Sequence, residues 1–263
     1  MNNNTEIESF LRANPIVEWV DAFMFDVNGL ARGKRMPVAD LRQIYAAGVQ
    51  FSACAPLLDV RGLGHGAAGL GTDDGDPDGT GWPIPQTLKR APWALRPTAQ
   101  VQLELRDVAR SEPLWWDPRA ILAGVVSRCR ADGIHPIVAC ELEFYLIDPR
   151  RDREAPLAPA ASPLTGHAPR AAANLSLAAL DENAAFLAAL QEAALAQDIP
   201  ASSAVAEYGV GQFEINLNHI PDPVQAADHA ALLRRLVKGV AQSRNIEATF
   251  MPKPFLQDRK SVV

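Results

Sequence analysis

Four glutamates, spaced as two pairs, are the residues of this sequence that could bind a divalent cation. The first pair, Glu141 and Glu143, alternates with apolar residues in the run CELEFYL at 140–146. In a strand both carboxylates project from one face, with their Cα atoms about 7 Å apart. An alternating face usually meets water, but this one also carries Ala139, Tyr145 and Ile147. Two acids in such an apolar wall repel each other unless a cation neutralises them.

The second pair comes from the run EYGVGQFE, which begins at Glu207 and ends at Glu214. Two short strands joined through a glycine-containing turn would bring these carboxylates together. The polar side of the second strand lacks lysine and arginine and consists of Gln212, Glu214, Asn216 and Asn218. Carboxylates without histidine or cysteine favour Mg²⁺ or Mn²⁺ over zinc, and these ions usually serve phosphate chemistry. We therefore expect Glu141, Glu143, Glu207 and Glu214 to be metal ligands.

An opening unit of strand, tight turn, strand and helix precedes these acids. The dipeptide Asn28-Gly29 is a strong hairpin signal between predicted strands. Eight glycines between residues 62 and 81 predict a long surface loop. The predicted elements of this unit are strands at 17–27, 30–36 and 101–106 and a helix at 40–47. A domain boundary near residues 107–115 divides the chain into domains 1–110 and 111–263.

The second unit mixes helices with strands, which makes the expected fold class α+β. Its first helix starts at Asp117-Pro118, an N-cap followed by a proline in the first turn. Residues 150–173 show no packing period and predict a surface excursion without function. The remaining predicted elements are helices at 118–131, 183–197 and 223–244 and strands at 137–147, 204–207, 212–218 and 246–251.

Composition excludes several classes of protein. The chain has 263 residues, 48% hydrophobic content and a formal net charge of -6, so it can bury a core and has no basic stripe for nucleic-acid phosphates. No apolar run reaches the about 18 residues of a membrane-spanning helix, and a signal-peptide pattern is missing. Three cysteines without a C-x-x-C spacing argue against disulfides and zinc. We expect a cytoplasmic protein that binds neither nucleic acid nor membranes.

Three motifs together resemble the glutamine synthetase family. They are the E-x-E-F strand at 141–144, the E-x-x-x-G-Q-x-E turn at 207–214, and the run FMPKPF at 250–255, which is similar to the opening of the family's ATP-region signature. The segment at 20–37, with its N-G-x-x-R-G-K-R-x-P hairpin, and the segments at 74–78, 83–88 and 92–93 look most like the glutamate–polyamine ligase branch, which contains γ-glutamylputrescine synthetase. The resemblance runs through nearly the whole chain.

The resemblance implies an N-terminal β-grasp domain followed by the first part of an antiparallel-sheet catalytic domain. In that family ATP phosphorylates the γ-carboxylate of glutamate, and an amine or ammonia displaces the phosphate. By the resemblance, Glu143, Glu207 and Glu214 hold the metal near glutamate, Glu141 contributes to a second metal near ATP, and Lys253 and Pro254 begin the ATP region. It also implies homo-oligomeric rings with active sites between subunits. No catalytic side chain is identified in this chain.

The chain departs from the family pattern in two places. Near Phe51-Ser52 no aspartate matches the one that helps ammonia-using members bind ammonium, which favours a larger, putrescine-like amine. After residue 255 the family's metal-binding histidine, a further metal glutamate and several arginines have no counterpart. We therefore expect this polypeptide to be inactive alone. An alternative function is a non-catalytic relative that assembles with or regulates intact subunits.

The last six residues, 258–263, can be back-translated to the start of a common sequencing-adapter oligonucleotide. We hypothesise that this tail is not native and that the natural protein is longer, the alternative being a real truncated paralogue. Two other candidate sites are weak. Residues 74–79 match half of a calcium-binding loop, but its twelfth position is Pro85. The glycine run at 62–66 has no helix behind it and is expected to be a loop.

Overall fold

Two compact units make up the chain in the computed structural model. The first contains Met1–Pro92 and Arg96–Pro136, and the second contains Trp93–Leu95 and Ile137–Val263. The structure describes residues 3–64, 66, 69–71, 75–108, 111–150 and 155–255.

The first unit is built on a six-stranded mixed sheet. Its strand order is β2-β1-β6-β4-β3, and β5 pairs with β6. Strands β1 and β6 run parallel, whereas the other pairs are antiparallel. The elements are α1 (Asn3–Ala13), β1 (Trp19–Phe25), β2 (Ala31–Pro37), α2 (Leu41–Ala47), β3 (Val49–Ser52), β4 (Asp78–Pro83), β5 (Lys89–Arg90), β6 (Thr98–Asp107) and α3 (Pro118–Ala131).

Helix α2 covers this sheet and completes a β-grasp arrangement. Leu41 and Ile44 of the helix belong to the same buried cluster as Val20, Val101 and Leu103 of the strands. The residues of β1 and β6 that belong to this cluster lie at alternate positions, so they share the face of the sheet that takes the helix. The expected N-terminal β-grasp domain is therefore confirmed.

The predicted hairpin at Asn28-Gly29 is confirmed, and a buried acid holds it. Gly29 has a φ of 67°, a left-handed conformation that glycine adopts at little cost. Asp26 is only 2% exposed, and its Oδ1 accepts hydrogen bonds of 2.9 Å from the backbone N–H groups of Asn28 and Leu30. Its Oδ2 accepts one of 2.8 Å from Arg32 Nε. The turn therefore depends on a paired carboxylate as well as on the dipeptide.

The predicted loop at 62–81 is wrong at its C-terminal end, because residues 78–81 belong to β4. A Cβ at Gly79 would lie 3.1 Å from Leu105 Cδ1, and one at Gly81 would lie 2.9 Å from Leu103 Cδ1. These glycines thus allow leucines of the neighbouring strand to pack over the backbone, rather than marking a flexible turn. His65 and Asp74, which belong to the two weak candidate loops, lie outside the described residues.

The second unit contains an antiparallel four-stranded sheet in the order β10-β7-β9-β8. Phe144 is fully buried on one face, with ring centroids 6.1 Å from Phe186, 6.3 Å from Phe213 and 5.8 Å from Phe250. The elements are β7 (Glu141–Ile147), α4 (Leu177–Glu182), α5 (Ala184–Ala196), β8 (Ala201–Ala206), β9 (Gln212–Leu217), α6 (Pro223–Ser243) and β10 (Glu247–Thr249). The α+β class is confirmed.

Three details of this unit differ from the predictions. Strand β7 begins at Glu141, and Val138 before it makes only an isolated bridge to Ile220. The predicted single helix at 183–197 is preceded by a separate short helix, α4. The excursion at 150–173 is ordered where it is described, since Ala160 N–H donates to Leu146 O at 2.9 Å. It therefore extends the hydrogen bonding at the end of β7.

Helix α3 belongs to the first compact unit, whereas the sequence analysis assigned residues after 110 to the second domain. The boundary between residues 110 and 111 stays a prediction. Within the described residues, no helix combines the length and apolar character needed to cross a membrane.

Two helical glycines should respond in opposite ways to alanine. Gly124 in α3 has nothing within 4 Å of an added Cβ, so Gly124→Ala should raise the free energy of unfolding by about 0.5–1 kcal/mol. A Cβ at Gly239 in α6 would lie 2.6 Å from Trp93 Cγ, so Gly239→Ala should lower it by about 1–3 kcal/mol. Urea denaturation followed by circular dichroism measures both. Equal stabilisation by the two substitutions would contradict the packing of Trp93 on α6.

Candidate metal centre

The register of β7 and β9 places two of the predicted ligands side by side. Glu143 pairs directly with Glu214 across the antiparallel ladder, where opposite Cβ atoms lie about 4.5–5.5 Å apart. Both side chains project from the face opposite the Phe144 core, because successive residues of a strand alternate between faces. The alternation in the sequence thus indicated the correct face for Glu143.

The third predicted ligand comes from the turn between β8 and β9. Glu207 follows β8, and its N–H donates to Gln212 O at 2.9 Å. Val205, two residues earlier, pairs with Glu214, so Glu207 continues the same face of the sheet. A Cβ at Gly209 would overlap the Tyr145 hydroxyl and lie 2.6 Å from Gln212 Oε1. Glycine at 209 therefore lets the turn fold down against Tyr145.

These three carboxylates form one group. One oxygen of each of Glu143, Glu207 and Glu214 lies within 4.8 Å of the others. Glu143 is exposed, while the other two are half-buried. Among the described residues, no lysine or arginine forms an ion pair with any of the three. Three negative charges thus converge on one small volume, and none of the described lysines or arginines pairs with them.

The electrostatics of the group show in the pKa of Glu143, which is raised above its ordinary value. Partial burial of the carboxylate is the largest cause, followed by the charges of Glu207 and Glu214. A hydrogen bond from Gln212 opposes the rise, and the charge of Glu141 adds to it. A bound cation would remove the repulsion that raises this pKa.

Glu141 lies at the margin of this group. It is exposed and pairs with Asn216 in the ladder, two residues before Glu143 on the same face. It is not one of the three residues whose ligand atoms lie within 4.8 Å. The structure therefore brings three of the four predicted ligands together and places the fourth beside them.

Two side-chain amides that the sequence argument did not identify as site residues contact the acids. Gln212 Nε2 donates to Glu143 Oε2 at 2.6 Å, and Gln212 Oε1 accepts from Gly209 N–H at 2.7 Å. Asn216 Nδ2 donates to Glu214 Oε1, and Asn216 Oδ1 accepts from Ser203 Oγ at 2.5 Å. The alternating polar residues of β9 indicated that both amides lie on the same face as Glu214. The sequence held no signal for Ser203, because its place opposite Asn216 depends on an irregular register.

The predicted ATP-region residues lie on a short segment after β10. Lys253 is exposed and Pro254 is half-buried. Phe250 packs on Phe144, and the ring of Phe255 meets Tyr145 edge-on at a centroid distance of 5.5 Å. Since neighbouring residues of β7 point to opposite faces, the segment passes from the core face to the face that carries the acids.

The donor set fits a hard divalent cation. Carboxylate oxygens suit Mg²⁺, Mn²⁺ and Ca²⁺, whereas zinc sites use histidine or cysteine, and neither belongs to this group. The three acids have no neutralising partner in the described part of the chain, and a bound cation would supply the missing positive charge. The residues present thus fit the metal expected from the sequence.

Several known proteins are similar to this chain in sequence. Residues 116–262 match the glutamine synthetase catalytic domain. The γ-glutamylputrescine synthetase of Escherichia coli is 38% identical over 251 residues, which are 95% of this chain and 52% of that protein. A glutamate–isopropylamine ligase of a Pseudomonas species is 28% identical over 236 residues, 87% of this chain and 49% of the relative. The chain spans about half the length of these relatives.

Solved structures support the fold. The crystal structure of a novel glutamine synthase homolog superposes with a TM-score of 0.74 at 24% identity. The match covers 90% of this chain and 52% of the homolog's chain. The structure of GmaS without ligand gives a TM-score of 0.75 at 24% identity, covering 95% and 53%. At this identity the likeness shows a shared fold.

Removing one charge from the group should stabilise the metal-free chain. Glu143→Gln relieves repulsion by Glu207 and Glu214, so at pH 7 with chelator present we expect a Tm higher by about 1–2 °C, the scale of exposed charge interactions in a chain of this size. The pKa of Glu143 is higher in the folded chain than in the unfolded chain. The loss of stability caused by the repulsion is therefore absent below the pKa of the unfolded state, and it grows as pH rises through the pKa of the folded state.

Glu192→Gln, on an exposed position of α5, is the matched control and should leave Tm unchanged. Scanning calorimetry at pH 7 and near pH 4 measures the difference for both variants. A Glu143→Gln chain that is less stable than the parent at pH 7 would contradict mutual repulsion among the three acids.

Proposed function

The chain belongs to the glutamine synthetase family, and on that premise we propose that it is part of an ATP-dependent ligase that joins the γ-carboxylate of glutamate to an amine through γ-glutamyl phosphate. The observation that carries the proposal is the convergence of Glu143, Glu207 and Glu214, one oxygen of each within 4.8 Å. Transfer of a phosphoryl group to a carboxylate joins two anions, and a site of this kind serves that chemistry.

The proposed roles of the acids follow from their positions. Glu143, Glu207 and Glu214 hold a Mg²⁺ or Mn²⁺ ion, and Glu141 at the margin contributes to a second one. When bound, such an ion supplies positive charge that offsets repulsion between ATP and the glutamate carboxylate. The chain's own contribution is to keep three acids on one face of a rigid sheet, so that the donors are in place before the substrates arrive.

ATP is the proposed co-substrate, and the segment with Lys253 and Pro254 is the proposed start of its site. Support comes from the course of this segment, which places Phe255 against Tyr145 on the face that carries the acids. The exposed Lys253 leaves an ammonium group available to a phosphate.

A putrescine-like amine is the proposed acceptor, in preference to ammonia. Two of the similar proteins have names that specify an amine substrate, putrescine in one and isopropylamine in the other. The absence of an aspartate matching the ammonium-binding one near Phe51-Ser52 agrees with this choice. Glutamate, ATP and the amine are thus the proposed partners.

We also propose that the native protein is longer than this chain and assembles into a homo-oligomeric ring with active sites between subunits. The chain covers 52% of one relative and 49% of another, and the further metal histidine and arginines of the family have no counterpart here. The polypeptide alone should therefore be inactive. The tail at 258–263 lies outside the described residues.

Metal binding tests the proposed centre directly. Glu143→Gln, Glu207→Gln and Glu214→Gln should each weaken Mn²⁺ binding by about 10-fold or more, since even outer-shell substitutions cost 10–100-fold. Electron paramagnetic resonance of free Mn²⁺ gives the Kd, and circular dichroism checks the fold. Glu192→Gln should bind as the parent does. Failure of the parent chain to bind Mn²⁺ or Mg²⁺ would refute the centre.

The ligase activity is tested on the complete protein recovered by resequencing the locus. With glutamate and ATP it should release phosphate faster with putrescine than with isopropylamine or ammonia, while this 263-residue chain shows no amine-dependent release. A genomic stop directly after Val263 together with an inactive chain would favour the non-catalytic, subunit-binding alternative. Turnover with ammonia alone would refute the polyamine preference.

A further inference from the structure

Each of the three clustered carboxylates has one oxygen occupied by a neutral N–H donor. Glu143 Oε2 accepts from the Gln212 amide, Glu214 Oε1 accepts from the Asn216 amide, and Glu207 Oε2 accepts from the backbone of Tyr208 at 3.3 Å. In the part of the chain that the structure describes, the second oxygen of each carboxylate has no hydrogen-bond donor. As far as the described residues extend, one oxygen of every acid therefore remains available to a ligand.

The Gln212 amide is held in one orientation. Its oxygen accepts from Gly209 N–H at 2.7 Å, so its NH₂ group faces Glu143. A flipped amide would point its oxygen at the Glu143 carboxylate and its NH₂ at the Gly209 N–H, replacing two hydrogen bonds with two repulsive contacts. Gln212 is only 7% exposed, so water cannot easily compensate. The donor to Glu143 is thus fixed.

The Asn216 amide repeats this arrangement on Glu214. Its oxygen accepts from Ser203 Oγ at 2.5 Å, which turns its NH₂ group toward the carboxylate. Ser203 lies on β8, Asn216 on β9 and Gln212 at the start of β9. The two amides therefore flank Glu214 along one strand, and each is oriented by a second donor that does not touch the acids.

We propose that Gln212 and Asn216 are positioning residues that keep Glu143 and Glu214 monodentate and so select Mg²⁺ or Mn²⁺ over Ca²⁺. A carboxylate oxygen that accepts from a fixed amide keeps one lone pair directed at that amide, so turning both oxygens toward one ion would bend or break the hydrogen bond. Ca²⁺ takes about 6–8 oxygen ligands and often binds carboxylates through both oxygens, whereas Mg²⁺ takes six at shorter distance and keeps several waters. This inference rests on the metal centre of the proposed function.

The test is competition between two metals at the chain's own site. The ratio of Ca²⁺ Kd to Mn²⁺ Kd is measured by titrating Ca²⁺ against bound Mn²⁺ in electron paramagnetic resonance. For Gln212→Met and Asn216→Ala, Mn²⁺ affinity should fall by about 10-fold while Ca²⁺ affinity stays equal or rises, so the ratio falls by about 10-fold or more. Asn218→Ala, at the exposed position two residues beyond Asn216, is the control and should keep the parental ratio.

A second pair of variants tests the orientation of the Asn216 amide by changing Ser203 alone, so that the acids and both amides stay intact. Ser203→Ala removes the donor to Asn216 Oδ1 and should lower the ratio by about threefold, the effect of one neutral hydrogen bond. Ser203→Thr keeps the hydroxyl on an exposed edge-strand position, where a β-branched residue is well tolerated. It should restore the parental ratio.

The outcomes separate this inference from the proposed function. A parallel loss of both ions in Gln212→Met and Asn216→Ala, or an unchanged ratio, would overturn the positioning role while leaving the centre in place. A parent chain that binds neither Mn²⁺ nor Mg²⁺ would overturn the centre and the inference together. A lowered ratio in both amide variants and in Ser203→Ala, with the parental ratio in Ser203→Thr, supports the inference.

Discussion

One oxygen of each of three carboxylates lies within 4.8 Å of the others, and their mutual repulsion is the constraint that the second unit must overcome. No lysine or arginine pairs with them among the described residues, so the strands must hold the acids against this repulsion. The pairing of Glu143 with Glu214 does so through a fixed register. A slip of one residue would move one of the two side chains to the opposite face and disperse the group.

The force that fixes this register comes from the other face of the same strands. Phe144, next to Glu143, is fully buried against Phe186, Phe213 and Phe250. Burial of an aromatic ring of this size contributes about 1.5–3 kcal/mol, and ring pairs add to it. The apolar face thus stabilises the strand pairing, and the polar face uses that pairing to hold like charges together. The two faces are coupled because successive residues of β7 and β9 alternate between them.

Much of this arrangement could be predicted from residue type and spacing. The period of two assigned Glu141 and Glu143 to one face of a strand, and the glycines after Glu207 indicated the turn that brings Glu207 to Glu214. Features that depend on tertiary contacts could not be predicted. Gly79 looked like part of a loop because nothing in the sequence shows that Leu105 packs over it. Ser203 carries no signal either, since its partner is set by a register shift between strands.

The choice of amides as the groups that touch the acids has an electrostatic reason. Gln212 donates to Glu143 at 2.6 Å without bringing a charge, so it steadies the carboxylate and leaves the negative potential of the group intact. A lysine in the same place would also donate, but it would form an ion pair and compete with any metal for the acid. Neutral donors are therefore the side chains that can orient carboxylates at a site that must still attract a cation. Asn216 acts on Glu214 in the same way, because its NH₂ group donates to that carboxylate without bringing a charge.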